Sequence, residues 1–465
     1  MRRVSAHVEL QMHEAQCGFR PGRGTVDAMY TMRQILCKCE RRGCAAAFAF
    51  VDLTKAYDSV NRAALWRVLK LYGVHPKLIS LLEDLHQGTQ AAVRLDRQIG
   101  TWFDVGCGVK QGCIIAPLLS DVFMDFLVRK AVSRMGECGI TIDMGGAPLP
   151  CEDNLVRLVQ LLYADDLVLM SHDPEELAHM LVVLDGVMNA DGMRINAANT
   201  EIMLIPALSS RRQSETHDVL QQSLSFQVQL AGGVVHQVEE FKYLGSYLQK
   251  DGGCDRDVTA RRGKTWGVFQ GLKGVWNNRH LRLKDKAAVY RTFVMPHLLY
   301  GVETLNLTQL QLQSLEVTHN NCLRQLIGVR IADRQPMDKV REACGLPALR
   351  ELVVKRTLSW LGHVARMPPT RYPWVAQFGD VLAGSKRRGR PKQCHEHTHM
   401  HYFKLAGFDN TVCNSWHEVA QDRIRWRQMW QSVDLAQAQS APRPPLRMQP
   451  VRAARLRSVS YAGMC

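Results

Sequence analysis

Residues 155–170, LVRLVQLLYADDLVLM, decide the fold. Two apolar runs flank Ala164-Asp165-Asp166 and read as two strands joined by a tight turn. The turn carries two carboxylates at its tip. Burying an unpaired carboxylate costs several kcal/mol, and two of them ~4 Å apart repel by about 4 kcal/mol at a surface-like dielectric. A third aspartate has a similar setting. Asp52 lies near the end of residues 44–53, CAAAFAFVDL, a continuous apolar run of the kind a buried strand shows. A hard divalent cation reverses the sign of the repulsion, because Mg²⁺ takes oxygen ligands and is held by one or two carboxylates plus substrate phosphates. Two such ions ~3.5–4 Å apart clamp the attacking and leaving oxygens of a phosphoryl transfer. The residues alone also admit a plainer reading, with Asp165-Asp166 a hairpin turn and Asp52 a helix cap.

Outward from these aspartates the pattern alternates between helix and strand. Residues 1–45 read as helical, broken at Gly18-Phe19-Arg20-Pro21-Gly22-Arg23-Gly24. Ser59 is placed to cap a helix running to Tyr72, with Gly73 to end it. A helix follows over Lys77–Gln87, a polar-alternating hairpin over 89–105, a Gly/Cys-rich turn over Gly106–Gly112 and a helix over Leu118–Met135. Helix Pro174–Asn189 has Asp173 at its N-cap and Glu176 at its third position. Residues 194–205 read as a strand, 206–223 as a polar insertion, and 224–249 as a hairpin turning at Gly232-Gly233. From about residue 255 the pattern is helical and basic. The last 25 residues, rich in Pro, Arg and Ala, read as disordered.

Composition excludes several classes. With 465 residues, 46% hydrophobic and 22% charged, the chain is an ordinary globular one of two or three domains. It has no uncharged apolar stretch long enough for a spanning helix, and MRRVSAHVELQMHEAQ lacks the apolar core of a secretory signal. The 14 cysteines are scattered and far from disulfide density, which fits an intracellular compartment. Charge is asymmetric: residues 1–250 carry a net of −3 and residues 251–465 a net of +18. Such a basic half suits either a polyanion partner, most simply nucleic acid, or a solvated surface. Lys386, Arg387, Arg388, Arg390 and Lys392 form its densest run, suited to nucleic-acid backbone or to nuclear localisation.

Six segments, in order and at matching spacing, resemble the reverse transcriptase of non-LTR (LINE-type) retrotransposons. They are QCGFRPGRGT (16–25), FVDLTKAYDS (50–59), VKQGCIIAPL (109–118), YADD (163–166), GMRINAANTE (192–201) and FKYLG (241–245). The likeness is good over about 10–250 and looser beyond, at LGHVARM (361–367) and Trp416 to Trp426. It implies an α+β right-hand polymerase: partial fingers over 1–43, a palm with antiparallel sheet over 44–250, a helical thumb over 251–383 and a basic helical C-terminal region over 384–465. It also implies an RNA-directed DNA polymerase of a mobile element, a nucleotidyltransferase extending a primer 3′-end with dNTPs by two-Mg²⁺ catalysis. Its partners would be an RNA template and a DNA primer or target, with no membrane, and its location nuclear.

By the same resemblance, Asp52, Asp165 and Asp166 are the catalytic metal-binding acids. Tyr57 is the gate against a sugar 2′-hydroxyl, and Gln111 and Gly112 lie against the incoming nucleotide. Phe241, Tyr243, Leu244 and Gly245 belong to the primer grip. Arg20 and Arg23, in a Gly/Pro loop, suit phosphate contacts. Three features depart from the family pattern. The chain opens later than its members, which carry an upstream fingers segment and usually an endonuclease. Asn199 stands where a lysine is usual before Thr200, and Ile114-Ile115-Ala116 replaces a Pro/Leu/Ser-type stretch. The alternative is a truncated, inactive remnant that at most binds nucleic acid. Cys394, His395, His397, His399, His401, Cys413 and His417 do not match a zinc knuckle, and zinc is not expected there. Cys37, Cys39 and Cys44 read as helix and core cysteines.

Overall fold

The apolar run at 44–53 forms β1 (Ala46–Val51), buried at every position. Its residues serve two cores alternately. Ala47, Ala49 and Val51 point into one, and Ala46, Phe48 and Phe50 into the other. Cover on both faces is why the sequence shows no polar alternation there. The computed structural model describes residues 2–145, 154–207, 226–385 and 394–431.

β1 lies within a six-stranded sheet completed by β2 (Gln160–Tyr163), β3 (Asp166–Ser171), β4 (Glu201–Ile205), β5 (Val228–Leu230) and β6 (Gly233–Gln237). The order is β5-β6-β4-β1-β3-β2, antiparallel throughout except for β4 against β6. α1 (Arg2–Glu9) and α2 (Thr25–Arg42) precede the sheet. α3 (Arg62–Leu71), α4 (Pro76–His86), α5 (Ala116–Met135) and α6 (Pro174–Ala190) are threaded between its strands. α3, α5 and α6 cover one face through residues such as Leu65, Val122 and Leu181. α2 covers the other, with the hairpin of β7 (Glu240–Tyr243) and β8 (Ser246–Gln249) and with helix Tyr372–Phe378. α2 therefore shares its core with β1.

Local chemistry explains the boundaries. The Asp173 carboxylate accepts from the Glu176 backbone N–H at 3.0 Å and starts α6, as expected. α3 is capped by Asn61, whose side chain accepts from Ala64 N at 3.1 Å. This corrects the expectation of Ser59, whose hydroxyl instead donates to Thr54 O at 3.0 Å and closes the preceding loop. The strand expected over 194–205 is confined to β4, because 196–200 turns back on Asp52. The hairpin expected over 224–249 is two hairpins. The insertion at 206–223 lies almost wholly outside the described residues, as do Lys386, Arg387, Arg388, Arg390, Lys392 and the last 25 residues.

Beyond Asp251 the described chain is almost entirely helical. α7 (Asp255–Gly271), α8 (Gln309–Ile327), α9 (Leu349–Ala365), α10 (His395–Leu405) and α11 (Arg423–Gln431) build two further cores, one around Leu315, Leu358 and Trp426 and one around Phe269, Trp276 and Tyr290. Among the described residues no helix is long and apolar enough to cross a membrane.

His319 on α8 ties this region together. Its Nδ1 is 2.8 Å from the Tyr290 hydroxyl and its Nε2 is 3.2 Å from Pro347 O. One neutral tautomer satisfies both bonds, with Nε2–H donating and Nδ1 accepting. Burial pushes its pKa down to about 4. As pH falls, the unfolded chain takes up this proton first, near 6.5, so stability declines from there down to about 4. His319→Gln should therefore lose about 2 kcal/mol less than wild type between pH 7 and pH 5 in urea denaturation. Identical losses would contradict this.

Candidate active site

The β1–β3 ladder pairs Val51 with Leu167 and Phe50 with Val168. The next step along it sets Asp52 opposite Asp166, on the face shared by Phe50 and Val168. β2 and β3 pair Tyr163 with Asp166, which leaves Ala164-Asp165 as a two-residue turn. Residues 114 positions apart in sequence thus meet at one end of the sheet. Asp166 is exposed overall, yet its carboxyl is pushed up to about 6, first by partial desolvation at the sheet end, then by the charges of Asp165 and Asp52. Among the described residues no lysine or arginine pairs with any of the three.

Asp52 is oriented from one side. The Asn196 and Asn199 amides donate to its Oδ2 at 2.9 and 3.0 Å. Its backbone N–H donates to the Thr200 hydroxyl at 3.2 Å, and its carbonyl accepts from Asn196 N at 2.9 Å. Both side-chain bonds fall on Oδ2, so Oδ1 is left for another partner. Asn199, the departure from the family pattern, therefore bonds directly to an acid of the site.

The turn is braced from below. Ala164 has φ 57°, in the left-handed region that costs a non-glycine residue about 1 kcal/mol. Its N–H donates to Gln16 Oε1 at 3.2 Å, and the same oxygen accepts from Gly18 N at 2.8 Å. Cys17 N donates to Leu162 O at 2.7 Å, so residues 15–17 extend the sheet edge beside β2. Gly18 lies against the turn so closely that a Cβ there would stand 2.4 Å from Ala164 N. The first of the six segments is thus a support for the fourth.

Two further groups lie near Asp165. Tyr57 packs at the rim of the first core, and its hydroxyl is pushed up to about 12 by burial, then by Asp121 and Asp165. Asp121 on α5 is buried, with neither carboxylate oxygen hydrogen-bonded. Burial raises its pKa to about 8, opposed by nearby Arg20 and reinforced by Asp125 and Asp165. Asp121 is therefore protonated at neutral pH. Sequence reasoning missed it, since an acid within an apolar helix gives no local signal of what lies across the core.

Gln111 and Gly112 sit exposed on the loop beside Tyr57. Val109 N donates to Tyr57 O at 2.9 Å and Gly108 N to Val60 O at 2.8 Å. Arg62 pins the same loop through three carbonyls, Gly108 at 2.8 Å, Val105 at 2.9 Å and Cys107 at 3.1 Å, and ties it to His86 O at the end of α4 at 2.9 Å. Of the segment 241–245, Phe241 stacks on Phe50 at 3.9 Å between ring centroids and Tyr243 is buried. The hairpin presents its turn, Leu244-Gly245, where the Tyr300 hydroxyl donates to Leu244 O at 2.8 Å.

The loop arginines are a correction. Arg20 is buried, with its guanidinium on Glu9 at 2.8 Å, His13 O at 2.7 Å and Gln16 O at 3.0 Å. Arg23 pairs with Glu14 at 2.6 Å. Both hold the bracing segment in place and present no free guanidinium to a phosphate. Within the Cys/His cluster, Cys394 Sγ lies 3.2 Å from His397 Nδ1 and His395 packs on Tyr30 and on His399, whereas His401 meets Gln309 and His417 packs on Phe378.

A family model described as reverse transcriptase (RNA-dependent DNA polymerase) matches residues 1–248. The chain belongs to the reverse transcriptase family. A transposon-derived protein of Caenorhabditis elegans is 26% identical over 276 residues, covering 58% of this chain and 94% of its own. A Pol polyprotein from a type-1 retrotransposable element of Popillia japonica is 24% identical, covering 69% of this chain and 42% of its own. The RNA-directed DNA polymerase from mobile element jockey of Drosophila funebris is 21% identical, covering 70% and 33%. The chain thus spans less than half the length of the latter two relatives. Apo telomerase from Candida tropicalis aligns with TM-score 0.39 and 11% identity, over 92% of this chain and 60% of that one. This reverse transcriptase chain carries three of the six segments, at 50–59, 163–166 and 192–201, on or beside strands of the six-stranded sheet.

Gly18→Ala should push the Ala164 turn away from Asp52. A misplacement of about 1 Å costs on the order of 100-fold in rate, so primer extension should fall by about that factor while circular dichroism stays unchanged. Full activity in the variant would remove the bracing role.

Proposed function

We propose that this chain is an RNA-directed DNA polymerase of a mobile element, adding dNTPs to a primer 3′-end on an RNA template. One observation carries the reading. Three carboxylates without a cationic partner among the described residues converge at one sheet end, with a further oxygen of Asp52 left unbonded. That donor set fits hard divalent cations, and Mg²⁺ is the ion of choice for a site completed by substrate phosphates. Asp52 and Asp165 would hold two Mg²⁺ ions, with Asp166 completing the site. When bound, the ions would supply a lowered pKa for the primer hydroxyl and charge neutralisation of the triphosphate.

The chain's own residues account for the rest by positioning. Asn196 and Asn199 fix the rotation of the Asp52 carboxylate. Gln16 and Gly18 hold the strained turn that places Asp165. The Tyr57 ring stands five residues after Asp52, beside Asp165, and would exclude a ribose 2′-hydroxyl. The loop bearing Gln111 and Gly112, pinned by Arg62, would bound the nucleotide on the other side. The Leu244-Gly245 turn would meet the primer with its backbone. The excess positive charge beyond residue 250 suits template and primer phosphates. The alternative of an inactive remnant is not favoured, because the acids and their supports are all present.

Purified protein with a primed RNA template, dNTPs and Mg²⁺ should extend the primer. Asp165→Asn should lower extension at least about 100-fold and leave template binding nearly unchanged. No extension by a folded wild-type preparation, or full activity in the variant, would refute the assignment. Tyr57→Ala should admit ribonucleotides at about tenfold or greater relative efficiency, an effect on the order of 1.4 kcal/mol. An unchanged dNTP/rNTP ratio would dismiss the gate.

A further inference from the structure

The end of the sheet remote from the three acids brings together Cys39, Cys44 and His172. Cys39 lies in the last turn of α2, Cys44 just before β1 and His172 just after β3. One potential ligand atom from each lies within 4.8 Å of the other two. Both cysteines are reduced and buried, and His172 is half-buried. β1 runs six residues from here toward Asp52, so the cluster stands roughly 20 Å from the acids.

Two backbone features build it. Gly43 takes φ 62° at the end of α2, and Cys44 N then donates to Cys39 O at 3.2 Å. This is the helix-ending turn that normally sets two apolar side chains against each other; here both are thiols. The β1–β3 ladder pairs Ala47 with Ser171, which delivers His172 to the same end. His172 Nδ1 lies 3.0 Å from Ala45 O; its ring also interacts with the Cys44 thiol, which reaches Cys39 O at 3.7 Å, and its buried Nε2 makes no well-formed hydrogen bond. A backbone carbonyl on one ring nitrogen is the usual support for a metal-ligating histidine, since it fixes the tautomer and leaves the other nitrogen a lone pair.

We propose that Cys39, Cys44 and His172 form a zinc site, with the fourth position taken from solvent. Two thiolates and an imidazole are soft and borderline donors, which select zinc over magnesium or calcium. A tetrahedral ion with Zn–S near 2.3 Å and Zn–N near 2.1 Å needs ligand atoms about 3.5–3.8 Å apart. Closure therefore asks for side-chain shifts of at most about 1 Å from the 4.8 Å limit. A Cys39–Cys44 disulfide would consume both sulfurs and leave His172 Nε2 buried and unpaired, whereas a shared ion satisfies all three groups. The ion would join the end of α2 to the two strands that carry the acids at their other end.

The test is zinc itself, on the full chain under reducing conditions. Elemental analysis should give one zinc per chain after dialysis, and Co²⁺ substitution should show a thiolate-to-cobalt charge-transfer band. Cys44→Ser and His172→Ala should each weaken zinc binding at least tenfold. Cys394→Ser should bind as wild type does. Zinc absent from the reduced wild-type chain, zinc retained in the Cys39→Ser/Cys44→Ser double variant, or loss in Cys394→Ser alone would each overturn the site. The wild-type measurement stands even if a variant fails to fold.

Discussion

Mutual repulsion of Asp52, Asp165 and Asp166 is the constraint around which this chain is arranged. Three anions do not stay together unless something stronger holds the segments bearing them. Here that is the pairing of β1 with β3, buried on both faces and continuous from Ala47–Ser171 to Val51–Leu167. The sheet fixes Asp52 against Asp166 by register, so a slip of one residue would turn one acid to the opposite face. The lifted pKa of Asp166 comes first from desolvation at the sheet end and then from the charges of Asp165 and Asp52, and a bound divalent cation would relieve the repulsion.

The supporting residues fall into a connected frame. Gln16 and Gly18 hold the turn. Arg20 and Arg23 hold the segment that bears them, through Glu9 and Glu14. Arg371 reaches the same place, on Glu14 at 2.8 Å and Asp27 at 2.6 Å. On α2 the buried Arg33 binds Asp257 at 3.1 Å and Ser246 at 3.0 Å, and Arg261 binds Asp257 at 3.1 Å. Breaking one partner of such a buried network is costly, because the other charge is left uncompensated. α2 therefore clasps the sheet, the β7–β8 hairpin and the C-terminal helices together.

Much of this was legible in the sequence, in a patterned way. β1 announced itself by an unbroken apolar run, α6 by its cap, and the acids by carboxylates set where burial is costly. Long-range partners were not legible. Nothing local tells that Asn199 bonds Asp52 or that Gln16 supports Ala164. Arg20 and Arg23 read as exposed because their loop is rich in glycine and proline, yet glutamates 11 and 9 residues upstream take both guanidiniums inward. Asn61 displaced Ser59 as a cap because the serine hydroxyl had a nearer acceptor in its own loop. The joining of Cys39 and Cys44 with His172 needed the register of two strands.

The most direct measurement is a Mn²⁺ titration of the full chain followed by electron paramagnetic resonance, with primer–template and a non-reacting dNTP analogue present. Two manganese ions should bind close enough to couple magnetically, and Asp52→Asn should weaken both. A wild-type chain that binds manganese no better than Asp52→Asn would contradict the central claim that these acids exist to share cations.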